Sequence, residues 1–249
     1  MNLATTSQAV PRPSRALTGR NGLLDKYFYF AMSLLMVALV VSGFGQTVNS
    51  NLFHPDIPRP TILWVHAATF SAWVLFFVLQ SALVRSRNVR IHRTLGWFGA
   101  ALGAFMFPLG LATAVAMTRF KFQQLHEAGS QFFVSVPFND MLCFAIFFAL
   151  AVYWRKKPEF HRRSIFIATS VLMAAAFGRF PYAISQTGFY LGVDALILLG
   201  IARDLLVNRR IHTLYRVALP LLIVLQSCAT YLAFKAPAWW ARFASAVAS

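Results

Sequence analysis

The chain has 249 residues, of which 58% are hydrophobic and only 12% are charged, and its formal net charge is +16. The charged share is about half that of an ordinary soluble domain, and the apolar share is higher. A water-soluble globular domain is excluded, because the core of a 249-residue globular protein could not enclose so much apolar surface. The hydrophobic residues fall in blocks of about 18 to 25, the length that a helix needs to cross roughly 30 Å of hydrocarbon. The sequence therefore predicts an all-α, polytopic membrane protein.

The order of these blocks predicts three regions. Residues 1–22 are rich in Ser, Thr, Pro and Arg without the apolar core of a signal peptide, which favours a flexible, basic cytoplasmic arm. Residues 23–236 hold a transmembrane domain, and residues 237–249 a short outer interfacial tail. The seven predicted spans are residues 27–45, 61–84, 94–117, 137–154, 164–182, 189–207 and 214–234.

The basic residues predict the orientation of the bundle. Seventeen of the 23 lysines and arginines lie before the first predicted span or in the loops that share its side, and six lie on the other side. By the positive-inside rule, the N-terminus is cytoplasmic and the C-terminus is outside. The positive charges come in short runs between apolar blocks, which suits anionic lipid headgroups as partners and not nucleic acid.

Small residues mark two predicted packing faces. The third span contains Gly99 and Gly103, four residues apart, and Pro108, which we expect to bend the helix. The fifth span carries alanines at 174–176 and Gly178. Such faces let helices approach closely, either within the chain or against another membrane subunit.

Three histidines, His92, His161 and His212, each stand at the exit of a basic loop on the cytoplasmic side. One interpretation is interfacial anchoring, in which the rings favour lipid phosphate. The other is that the three helix ends converge and the rings bind heme iron or another metal. Both interpretations stay open from the sequence.

His66 lies inside the second predicted span, where an ionisable side chain usually faces the interior of the bundle. Thr69, Trp73 and Gln80 follow it at spacings that return to nearly the same helix face. Leu75 falls on another face, suited to lipid. We therefore expect an inward polar stripe, in which His66 is either a functional group or a hydrogen-bonded structural one.

Three charged residues are predicted to lie at the same outer depth as His66: Arg179, Asp140 and Asp194. Together the four side chains form a predicted outer polar cavity. It is either a structural ion pair of Arg179 with one or both carboxylates, or an anion or headgroup site with Arg179 as clamp and His66 as proton donor or ligand. Near the cytoplasmic end of the sixth span, Arg203 and Asp204 are expected to form a snorkelling interfacial pair.

Several of these residues also carry a resemblance. They are Tyr27, Gly43, Phe44 and Thr47; His66, Trp73, Gln80 and Leu83, leading into His92, Arg93, Leu95 and Gly96; and Pro158, Glu159, His161, Arg162 and Arg163, followed by Arg179. From about residue 27 to 182 the chain resembles uncharacterised bacterial multi-pass membrane proteins with a domain of unknown function, which implies the bacterial cytoplasmic membrane. More distantly it resembles the diheme cytochrome b membrane proteins, in which paired histidines on neighbouring helices bind heme near each face; this implies heme b.

Three functions follow as alternatives. The favoured one is a heme-associated electron-transfer protein with His66, His92, His161 and His212 as candidate cofactor ligands. The second is a non-catalytic accessory or scaffold subunit of a larger membrane complex. The third is an intramembrane zinc hydrolase with His66, Asp140 and Asp194 around a metal-bound water.

Overall fold

A computed structural model describes residues 19–180 and 188–249, and within those ranges the regular structure is entirely helical. The α-helices are α1 (Gly19–Gly45), α2 (Ile62–Arg85), α3 (Val89–Gln123), α4 (Ser135–Tyr153), α5 (Pro158–Leu172), α6 (Ala174–Phe177), α7 (Gly188–Asn208), α8 (Thr213–Lys235) and α9 (Ala238–Ala248). A π-helix covers Asn49–Phe53 and a 3-10 helix covers Ser130–Val134. Residues 1–18 of the predicted basic arm lie outside the described residues.

Five helices are long and apolar enough to cross a membrane. They cover Gly22–Gly45, Ile62–Arg85, Val89–Gln123, Ser130–Tyr153 and Thr213–Lys235. Each overlaps one of the predicted spans. The expectation of an all-α chain with helices able to cross a membrane is therefore confirmed, whereas the count of seven spans stays a prediction.

The other two predicted spans contain helices of a different kind. The fifth is divided into α5 and α6 at Met173, and α5 starts earlier than expected because Pro158 occupies its first turn, where the missing N–H costs nothing. The sixth, α7, is 21 residues long but carries Asp194, Arg203 and Asp204. Helix α5 is only 15 residues long, and both helices carry charged side chains in the interior of the bundle, Arg163 on α5 and Arg203 and Asp204 on α7.

Counted with α5 and α6 as one unit, the helices from α1 to α8 run in alternate directions, so the bundle has two ends. One end is called the basic end here. It contains the start of α1 and the turns α2–α3, α4–α5 and α7–α8. There Arg85 of α2 stacks over and donates to Tyr27 of α1. At the opposite end, Arg59 lies over the Phe120 ring, 4.8 Å from its centroid.

The predicted small-residue faces pack within the chain. A Cβ added at Gly99 would lie 2.3 Å from the Phe76 ring, and one at Gly103 would lie 2.4 Å from the Phe148 ring. Helix α3 therefore meets α2 and α4 through this face, and it continues past Pro108 to Gln123. Because the face is filled by the chain's own aromatic rings, it offers no specific support for the accessory-subunit alternative, which stays a prediction.

The predicted tail forms α9, which docks on the opposite end. The Trp240 indole Nε1 donates to the Phe132 carbonyl at 3.1 Å. The side chains of Arg119 and Gln123 donate to the carbonyls of Val247 and Ala248, at 2.9 and 2.7 Å. These bonds satisfy carbonyls that a helix C-terminus leaves without partners.

Candidate functional site

Two of the predicted cofactor histidines meet at the basic end. His92 lies in the first turn of α3 and His161 in the first turn of α5, and their ring centroids are 6.3 Å apart at an interplanar angle of 76°. The two rings come together because both helices start directly after a turn at this end. Neither sequence position alone indicates this pairing.

The Nδ1 atoms of the two rings differ in hydrogen bonding: one has a partner and, in the part of the chain that the structure describes, the other has none. The His161 Nδ1 lies 2.8 Å from the Ala151 carbonyl oxygen, which only accepts, so this nitrogen donates. In the neutral ring, Nε2 of His161 then keeps a free lone pair. The His92 Nδ1 is buried and has no hydrogen-bond partner among the described residues. The pair therefore presents nitrogens that are available to a ligand.

His212 has a separate structural role. It is the N-cap of α8, and its Nδ1 accepts from the Leu214 N–H at 3.2 Å. Its ring packs on Phe160, with centroids 4.6 Å apart. Burial, together with the nearby Arg163, lowers the pKa of His212 below its ordinary 6.5. The neutral form that this cap requires is thereby favoured.

His66 lies near the opposite end of α2, in the expected inward stripe. Its ring stacks on Phe70 with centroids 4.0 Å apart, and its Nδ1 is buried without a partner among the described residues. Trp73 is only 3% exposed, whereas Leu75 is 63% exposed, as expected for an interior and a lipid face. His66 is 19 residues from the basic end of α2 at Arg85, or roughly 28 Å along the helix, so it does not join the His92–His161 pair.

The residues of the predicted outer polar cavity bind different neighbours. The Asp140 carboxylate accepts from the Tyr190 hydroxyl at 3.0 Å, and Asp194 accepts from the Gln226 amide at 3.2 Å. Among the described residues, no hydrogen bond or ion pair joins any two of the four side chains, and the expected ion pair of Arg179 with Asp140 or Asp194 does not form. Each carboxylate instead meets a neutral donor on the neighbouring helix.

Arg179 turns toward α1. Its guanidinium stacks on Phe44 at 4.0 Å from the ring centroid, its Nε donates to the Thr47 hydroxyl at 3.2 Å, and it also donates to the Ala175 carbonyl. The reason is the packing of α6 on α1, where a Cβ at Gly43 would lie 2.6 Å from the Ala176 carbonyl oxygen. This close approach brings Arg179 to α1 and away from α4 and α7.

The zinc alternative has no assembled ligand set. Within residues 19–180 and 188–249, no three His, Cys, Asp or Glu side chains lie close enough together to hold a metal ion. His66, Asp140 and Asp194 therefore do not form the three-ligand site that a catalytic zinc requires.

A buried ion network at the basic end was not predicted from the sequence. Asp204 is fully buried and accepts two bonds from Arg163, from Nε at 2.8 Å and from Nη2 at 2.5 Å. Arg203 is 1% exposed and donates to the same carboxylate at 2.7 Å. Arg203 and Asp204 are thus part of the interior and do not snorkel to the interface.

The network extends to α1 and to the start of α5. Arg203 also pairs with Asp25 of α1, and Arg163 donates to the Glu159 carboxylate at 2.7 Å. Arg162 bridges Glu159 and Asp25, at 2.7 and 3.7 Å. Three arginines face three carboxylates, so the charges balance. The available signal was the acidic Asp204 inside an apolar run, since a buried carboxylate needs a cation.

Comparison of the chain with models of protein families, with curated proteins and with solved structures finds no match. No residue therefore takes its role from a relative. A functional proposal can rest on two features: the histidine pair at the basic end and the inward stripe of α2 that starts at His66.

Proposed function

We propose that this protein is a heme-binding electron-transfer protein of the bacterial cytoplasmic membrane, in which His92 and His161 would together hold one heme b. The observation that carries the proposal is the 6.3 Å separation of their ring centroids. Because a metal–imidazole bond is about 2 Å long, two rings at this separation are close enough for both to bind one metal ion. A heme held by two histidines supplies one-electron transfer.

The surroundings of the pair fit this group. A histidine that binds a metal through one nitrogen usually donates its other N–H to a carbonyl or carboxylate, and His161 donates in this way to Ala151. Gly96 follows His92 by one helical turn, and a Cβ built there would have no neighbour within 4 Å. A glycine with open space beside a ligand leaves room for the edge of a flat macrocycle.

An optical spectrum tests the proposal. The protein, purified in mild detergent from cells supplied with heme precursor, is expected to show a Soret band. His92→Ala and His161→Ala should each remove most of the band, because each deletes one of the two residues that would hold the heme. The matched control is His66→Ala, at a half-buried histidine of the opposite end, which should keep the band. No heme uptake by the intact chain, or a full band in both pair variants, would overturn the proposal.

The topology is part of the same proposal. We infer seven spans, with α5 and α6 as the fifth and α7 as the sixth, a cytoplasmic N-terminus and an outer C-terminus. The support is the concentration of basic residues at the basic end, which the positive-inside rule assigns to the cytoplasm. The heme would then lie near the cytoplasmic face.

Cysteine labelling in whole cells tests this orientation. In a variant with both native cysteines replaced, Asn88→Cys lies in an exposed turn of the basic end and Ala128→Cys in an exposed loop of the opposite end. A membrane-impermeant maleimide should label the cysteine at 128 in intact cells and the one at 88 only after lysis. The reverse pattern would invert the topology.

A further inference from the structure

An apolar groove of about 530 Å³ runs between α3 and α4. Its walls are alanines one helical turn apart, Ala100 and Ala104 on α3 and Ala145 and Ala149 on α4. Residues four apart on a helix share a face, so both walls are continuous and smooth. The groove is independent of the histidine pair, whose residues do not line it.

The local packing explains why this space stays open. The Phe148 ring fits against Gly103, where even a methyl group would collide with it. The ring thus forms the floor of the groove and holds the two helices together. The alanine side chains on either side are too short to fill the space above it.

The groove ends at a cationic and aromatic cluster at the basic end. Val152 and Tyr153 line this end, and the Tyr153 side chain is 74% exposed. Arg155 donates to the Val152 carbonyl at 3.2 Å, and its guanidinium lies 5.7 Å from the centre of the exposed Trp97 ring. Aromatic side chains of this kind mark the headgroup level of a membrane protein.

We infer that this groove binds one anionic phospholipid, with part of an acyl chain between the alanine walls and the phosphate at Arg155. Charge complementarity selects the headgroup, because Arg155 is followed by exposed Lys156 and Lys157. The apolar walls favour an acyl chain over a polar ligand. From Ala100 to Phe107 the groove extends along roughly 10 Å of helix α3. This length is too short for a transmembrane helix of another protein, but it is sufficient for part of one acyl chain.

Native mass spectrometry of the purified full chain tests the inference, with phosphatidylglycerol and phosphatidylcholine titrated as separate probes. The wild type should retain one phosphatidylglycerol in preference to phosphatidylcholine. Arg155→Gln should weaken phosphatidylglycerol binding about fivefold, the effect of one basic residue near an anionic headgroup. Ala104→Leu and Ala149→Leu, which fill the groove from opposite walls, should weaken both lipids by a similar factor.

The matched control is Ala101→Leu, an exposed alanine of the same helix that does not line the groove. It should leave lipid binding unchanged, and any variant must elute and melt like the wild type to be scored. Equal binding of the two lipids by the wild type would overturn the inference. So would unchanged binding in both filled variants, or a dimer that the filled variants abolish without any change in bound lipid, which would assign the groove to a second copy of the chain.

Discussion

The two ends of the bundle satisfy their buried polar groups in different ways. At the basic end, three arginines and three carboxylates from α1, α5 and α7 bind one another, with Asp204 at the centre. At the opposite end, Asp140 and Asp194 each bind a neutral donor, and Arg179 lies on an aromatic ring. One end is held by charges that depend on each other, and the other by separate contacts and close backbone packing.

A single substitution should therefore destabilise the basic end more than the opposite end. Removing one member of a buried ion pair leaves its partner charged and desolvated, which costs far more than the pair itself contributes. Removing a charge that meets only neutral donors changes one hydrogen bond.

Asp204→Asn should be the most destabilising change of the set. It leaves Arg163 and Arg203, both 1% exposed, without their shared carboxylate, and we expect a loss of about 3–5 kcal/mol. Asp140→Asn is the control, since an amide oxygen still accepts from Tyr190, and it should cost about 1 kcal/mol or less. Unfolding in mixed detergent micelles measures both. Equal losses would show that the two ends do not differ in this way.

Gly43→Ala tests whether the opposite end depends on shape. The new methyl group would meet the Ala176 carbonyl oxygen at 2.6 Å, and a backbone atom cannot turn aside. We expect destabilisation of about 1–3 kcal/mol by overpacking. Gly45→Ala has no neighbour within 4 Å of the added carbon and should be neutral or slightly stabilising. A harmless Gly43→Ala would contradict the close contact of α1 with α6.

Trp240→Phe should loosen α9 without unfolding the bundle. It removes the bond from the indole to the Phe132 carbonyl, worth about 1 kcal/mol, so the amides of α9 should exchange about fivefold faster. Hydrogen exchange read by mass spectrometry over residues 238–248 reports this change. Trp239→Phe, at a side chain that is 60% exposed, should leave the exchange as it is. Identical exchange in the two variants would argue against α9 docking through Trp240.

The smallest effect is expected from the pH dependence of Glu159. Burial raises the pKa of its carboxyl, but bonds and charges from Arg163 and Arg162 outweigh burial and hold the pKa below its ordinary 4.5. Its contribution is therefore present above pH 4.5 and is lost as the pH falls through the lowered pKa. At pH 7 the melting temperature of the wild type should be higher than that of Glu159→Gln. This difference in melting temperature should disappear as the pH is lowered. A difference in melting temperature that grows toward low pH would contradict a lowered pKa for Glu159.

Much of the helical framework could be predicted from the sequence, because hydrophobic runs and turn residues act locally. The inward stripe of α2 is an example, since Trp73 is buried and Leu75 exposed as their helical spacing predicts. The predicted outer polar cavity depended on depth alone. Equal depth does not make two residues neighbours: Arg179 stacks on Phe44 of α1, while Asp140 bonds to Tyr190 of α7.

That the chain has helices able to cross a membrane could be predicted from the sequence, because hydropathy and length are properties of each segment taken alone. Which polar groups meet depends on the tertiary structure. It paired His92 with His161, gave His212 a capping bond to Leu214, and turned Arg203 and Asp204 inward to meet Arg163. The physical reason is that a buried charge or ring nitrogen takes its partner from a neighbouring helix, and helix neighbours follow from the packing of the whole bundle.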